Sequence, residues 1–222
     1  LAEWICRQML EDEGRYDCCT ATSDWTTFDT IGGYVPNPAA GGQLDFAPGL
    51  VTRALEGQRW IIIDELNRAD IDKAFGEMFT LLSGKTVQLP YRRRVGEVLK
   101  QVVLGSSSDP AVSAIPLPAE WRMLGTMNSF DKASLFQLSF AFMRRFAFID
   151  LPVPQPDAYR GLLESRCSKA KLPKAVTEAI VRIFASEKGL SAVGLQVGPA
   201  IPLDIIPFAA QFEIKSPSGL MT

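Results

Sequence analysis

The chain has 222 residues, 47% of them hydrophobic and 22% charged, and carries a formal net charge of -2. This composition suits a globular protein with one sizeable core and a small annex; it excludes a disordered chain and a chain-wide nucleic-acid surface, while leaving a local basic patch open. There is no histidine, which removes His triads and His metal sites, and the four cysteines, Cys6, Cys18, Cys19 and Cys167, lack paired metal-ligand spacing and read as free thiols of a reducing compartment.

No secretory leader is legible, and the most apolar late stretch, 193–210, is broken by Gly194, Gly198, Pro199, Pro202, Asp204 and Pro207. The expectation is a cytoplasmic protein with no membrane role. Residues 1–13 place Leu1, Ile5, Met9 and Leu10 at helical spacing beside Trp4, with Gly14 as the stop. Because the chain opens on Leu1 in what reads as mid-helix, a fragment is expected. Residues 17–22 read as a strand that would turn Cys18 and Cys19 to opposite faces. Residues 23–38 read as a long turn-rich connection around Ile31-Gly32-Gly33-Tyr34, either a ligand-facing loop or a plain surface connection. A helix over 48–56 follows, stopped at Gly57.

The chain then reaches Trp60-Ile61-Ile62-Ile63-Asp64-Glu65-Leu66-Asn67-Arg68-Ala69-Asp70. Four bulky residues in a row predict a strand buried on both faces, as in a parallel sheet covered by helices. Asp64 and Glu65 then lie at its carboxyl end, where open α/β sheets bind ligands. An Asp there can hold Mg²⁺ through its water shell, and the next acid can orient a water. The plainer alternative is a core strand ending in a solvated acidic turn.

A helix with Asp70 as N-cap follows, its apolar face marked by Ile71, Ala74, Phe75, Met78, Phe79 and Leu82. Gly84-Lys85-Thr86 imitates the end of a phosphate loop, but Phe79 stands where the first Gly belongs, so this is read as a helix C-cap. Residues 86–104 predict a hairpin turning near Val95-Gly96 and carrying Arg92, Arg93 and Arg94, which could meet phosphate backbone or an acidic partner, or form a solvated tip. Residues 105–118 read as a loop. A second core strand over 121–127 ends at Asn128, an amide suited to contact a γ-phosphate and a water, or simply to cap a turn. A helix over 134–143 ends in Arg144-Arg145, which would also balance the helix dipole, and 146–151 predicts another strand. Beyond Pro152-Val153-Pro154 the pattern is helical, over 157–169, 173–188 and 198–212.

The string ending in Asp64-Glu65 resembles the Walker B segment of AAA+ ATPases, and Asp64-Glu65-Leu66-Asn67-Arg68-Ala69-Asp70 is similar to its McrB-like and MoxR-like branch. Thr126-Met127-Asn128-Ser129-Phe130-Asp131 resembles the sensor 1 motif, in a form similar to the McrB-like group. The resemblance implies an α/β P-loop NTPase fold with a parallel sheet flanked by helices over 1–151, a β-hairpin insert at about 86–104, and a helical lid over 152–222. It further implies that the first strand and the phosphate loop lie upstream of Leu1, so that this stretch alone would be inactive. On the same footing the intact protein is expected to be a Mg²⁺-dependent nucleoside triphosphatase, ATP before GTP on family frequency, built into a ring, hexameric by family habit. Asp64 would hold Mg²⁺, Glu65 act on water, Asn128 sense the γ-phosphate, and Arg144 or Arg145 serve as the arginine finger in a neighbour's site. Gly198-Pro199-Ala200 lacks the Arg that sensor 2 normally offers. A nuclease or adaptor partner and DNA are expected for a McrB-like motor; the alternatives are a MoxR-like chaperone and a non-hydrolysing scaffold that binds a partner or nucleic acid.

Overall fold

The strand Trp60–Asp64 owes its place to composition: Ile61, Ile62 and Ile63 are all buried, so it can sit only inside a sheet covered on both sides. The computed structural model describes residues 1–10, 13–127 and 138–212, which divide into two compact units, Leu1–Ala147 and Phe148–Thr222. Asn128 and the start of the helix expected over 134–143 lie outside the described residues.

In the first unit the elements run α1 (Ala2–Met9), β1 (Tyr16–Thr20), α2 (Thr27–Thr30), β2 (Gly32–Asn37), β3 (Gln43–Pro48), α3 (Leu50–Glu56), β4 (Trp60–Asp64), α4 (Ile71–Leu82), β5 (Val87–Val95), β6 (Val98–Leu104), β7 (Val112–Ile115), β8 (Met123–Gly125) and α5 (Phe140–Met143). The central sheet has the order β1-β4-β8 and is parallel throughout. Ile61 and Ile63 pack with Val51, Ala54 and Leu55 of α3 and with Ile71, Ala74, Phe75 and Met78 of α4 in one core. Ile62 and Cys18 face the other way, toward α1, whose Cys6 is buried. The fold is thus α/β, a parallel sheet flanked by helices.

Asp70 caps α4 by accepting the Lys73 N–H at 3.2 Å. At the other end Gly84 takes φ +77 while its N–H and that of Lys85 reach back to the carbonyls of Leu81 and Thr80, a Schellman close that satisfies the last carbonyls. The Gly84-Lys85-Thr86 string is therefore a helix stop, as expected. Next, β5 and β6 form an antiparallel hairpin in which Val95 pairs with Val98 across Gly96-Glu97.

Several expectations need correction. The first helix ends at Met9 rather than running to residue 13, and Leu1, Trp4 and Met9 are exposed. The supposed connection over 23–38 contains α2, opened by a reciprocal Thr26–Asp29 capping box, and β2, which pairs antiparallel with β3. The supposed loop over 105–118 contains β7, parallel to β6. The strand expected over 121–127 is regular only at Met123–Gly125. Residues 146–151 form no strand; Phe148, Ile149 and Leu151 are exposed, because an apolar run becomes a strand only where another strand can take its hydrogen bonds.

The second unit contains α6 (Pro156–Lys169), α7 (Lys174–Phe184) and α8 (Ala200–Gln211). Tyr159, Leu163 and Cys167 pack against Val176, Ile180 and Val181 and against Ile206 in a separate core. Tyr159 donates its hydroxyl to the Val197 carbonyl at 2.9 Å. The start of α8 at Ala200 carries no Arg. No helix among the described residues is long and apolar enough to cross a membrane.

Candidate functional site

Since β4 and β8 are adjacent and parallel, their carboxyl ends emerge on one edge of the sheet. Asp64 ends β4 there with its side chain exposed, and its carbonyl accepts the Ala21 N–H at 2.9 Å. The Thr126 hydroxyl, just past β8, donates to Asp64 Oδ1. The Thr126 hydroxyl oxygen in turn accepts the Glu65 N–H at 3.2 Å. On the backbone, the Thr126 N–H donates to the Ile63 carbonyl and the Leu66 N–H to the Thr126 carbonyl, each at 2.9 Å. The two strand tips are therefore stitched together at Thr126.

Asp64 and Thr126 open onto a cleft of about 380 Å³, lined also by Ile62, Cys18, Leu1 and the α1 residues Glu3, Trp4 and Arg7. Burial, then Glu3, then Asp64 push the Cys18 thiol above its usual pKa. Cys19, turned into the core, is pushed up to about 11 chiefly by burial, and its thiol donates to the Ile62 carbonyl at 3.5 Å. A carboxylate whose Oδ2 has no protein hydrogen bond among the described residues, opening onto this cleft, fits a water-bridged Mg²⁺.

Glu65 is placed differently from its neighbour. It sits in the left-handed region at φ 52, which turns its carboxylate away from the cleft and onto Arg68, at 2.8 Å from Arg68 Nε and 3.2 Å from the second guanidinium nitrogen. Asp64 and Glu65 are thus brought to one strand tip, but only Asp64 lines the cleft. Asn128 lies outside the described residues.

Arg144 and Arg145, at the end of α5, also part company. Arg144 is exposed. Arg145 donates from Nε to the Phe79 carbonyl at 2.7 Å and to Ser83 Oγ at 3.0 Å, donates to the Ala141 carbonyl, and lies 5.4 Å over the Phe79 ring. Its guanidinium so closes the carboxyl ends of two helices of its own unit. Within the hairpin, Arg93 is held by Glu56 and by Ser113 Oγ, whereas Arg92 and Arg94 are exposed.

Of the cleft residues the sequence reading assigned only Asp64 a role; Thr126, Cys18, Glu3 and Arg7 are among those it did not assign. Thr126 stands two places before Asn128, so its position just beyond a strand tip is the signal that could have found it. Nothing in the sequence marks Cys18 beyond the strand alternation that separates it from Cys19.

Residues 1–146 match the family described as AAA domain (dynein-related subfamily). No curated protein matches the chain. A solved protein of Cytophaga hutchinsonii, described as a candidate ATPase, is 12% identical over 87% of this chain and 68% of its own, with a TM-score of 0.37.

Proposed function

The chain belongs to the dynein-related subfamily of AAA domains, and from that premise we propose that it is part of a Mg²⁺-dependent ATPase whose nucleotide site is the cleft at the tips of β4 and β8. The observation that carries this reading is the Asp64 carboxylate, fixed by Thr126 and open to the cleft. Bound Mg²⁺ would neutralise charge on the phosphate oxygens of the nucleotide. Asp64 would hold its water shell; Glu65, released from Arg68, would orient and deprotonate the attacking water; Asn128 would sense the γ-phosphate.

Arg144 is the better candidate for a finger reaching a neighbouring subunit, because Arg145 is occupied within its own unit. That role requires a ring, and six subunits are the family habit. Residues 152–222 serve as the lid in this reading. No Gly-x4-Gly-Lys-Ser/Thr string occurs in the 222 residues, so the amides and Lys that cradle phosphates would come from outside them. The Met127-Asn128 motif favours a McrB-like motor with a nuclease partner over a MoxR-like chaperone, and the exposed Arg92 and Arg94 would offer its contact with DNA or an acidic partner. ATP is preferred to GTP on family frequency, and free thiols suit the cytoplasm.

A non-hydrolysing scaffold is the second reading, supported by the Glu65–Arg68 pairing and by the missing Arg at the start of α8. One variant separates the two. In the full-length protein Glu65→Gln should retain ATP binding and lose turnover by about a hundredfold or more, since positioning dominates this chemistry. Unchanged turnover would remove Glu65 from the mechanism, and absence of turnover in the wild type would favour the scaffold.

A further inference from the structure

A cleft carboxylate can hold a hydrated cation well only if its own orientation is fixed, because a freely rotating side chain loses rotamer entropy on binding. Asp64 is exposed and ends its strand, so packing does not fix it. What restrains it is one hydroxyl. Thr126 Oγ1 donates to Asp64 Oδ1 and accepts the Glu65 N–H, so its proton and a lone pair are both committed. Oδ1 is thereby engaged from the side of β8, leaving Oδ2 for a ligand.

The second bond acts on the backbone. Glu65 is a non-glycine residue at φ 52, a conformation that needs local support. The Thr126 hydroxyl and the Leu66-to-Thr126 backbone bond supply it on either side of that residue. A single side chain therefore governs the rotamer of Asp64 and the direction in which the chain presents Glu65.

We propose that Thr126 is a positioning residue for the metal and nucleotide site, orienting Asp64 for a hydrated divalent cation and holding Glu65 in its turn. The proposal rests on the ATPase reading above and goes beyond it by assigning Thr126 a role exerted through Asp64 and Glu65. Val has nearly the shape of Thr but can neither donate to Asp64 nor accept from Glu65; Ser keeps the hydroxyl and drops the methyl.

The test uses full-length protein loaded with a non-hydrolysable ATP analogue, with Mn²⁺ as the probe and its binding read by electron paramagnetic resonance. Thr126→Val should weaken Mn²⁺ binding about 10- to 100-fold, the usual cost of losing a group that orients a metal ligand, and Thr126→Ser should restore most of it. Thr126→Ala carries the same expectation as Thr126→Val, so a valine variant that fails to fold leaves the proposal exposed to test. Wild-type Mn²⁺ affinity in a folded Thr126→Val or Thr126→Ala protein would overturn it, as would a Thr126→Ser protein as weak as the valine variant. Asp64→Asn separates this proposal from its premise. If Asp64→Asn binds Mn²⁺ as the wild type does, the site itself is misassigned; if it loses binding while the Thr126 variants do not, only the role of Thr126 fails.

Discussion

Alternation along β5 decides what each of three consecutive arginines can do. Arg93 pairs across the hairpin with Lys100 and turns to Glu56 and Ser113, while Arg92 and Arg94 turn the other way into solvent. The triplet was legible as a cluster of charge, but its division was not, since it depends on which face of the hairpin meets α3 and β7. Arg93→Ala removes a charge-assisted pair and leaves Glu56 without its partner, so a loss of about 1–3 kcal/mol is expected in a urea titration. Arg92→Ala should stay within about 0.5 kcal/mol; equal losses in both would contradict the assignment. The two acids of the strand tip teach the same lesson. Asp64 could be placed from the apolar run before it, whereas the turn of Glu65 onto Arg68 depends on a backbone angle that residue types do not announce.

At the scale of elements, β4 was the most readable because Ile61, Ile62 and Ile63 are buried whichever way they point. The hairpin of β2 and β3 was not readable. Its strands carry Gly32, Gly33, Pro36 and Pro48, which count against a strand by propensity, and long-range pairing outweighed that preference. Gly32 shows how tightly the pairing is built: it sits at φ +118, and a Cβ there would fall 2.2 Å from the Ala47 carbonyl oxygen. Gly32→Ala should therefore cost at least about 1–3 kcal/mol, read as a lowered urea midpoint, and a neutral result would mean that the hairpin is not closed this way. The run over 146–151 fails in the opposite sense, having strand composition without a paired neighbour.

Across the whole molecule, the two units keep separate cores, one around β4 with α3 and α4, the other among α6, α7 and α8. The family match ends within the first unit, at residue 146, so the proposed chemistry belongs to the sheet edge and the helical unit enters only as the proposed lid. A parallel sheet with Asp64 at the carboxyl end of a buried strand was the core of the sequence reading. It holds, and the adjacency of β4 and β8 brings Asp64 and Thr126 together even though Asn128 lies outside the described residues. The most direct measurement is to replace Mg²⁺ by Fe²⁺ in the full-length protein with bound ATP and map where locally generated hydroxyl radicals cut the backbone. Cuts beside Asp64 and Thr126 that require ATP are the predicted result. ATP-dependent cuts elsewhere, with these two tips intact, would contradict the account.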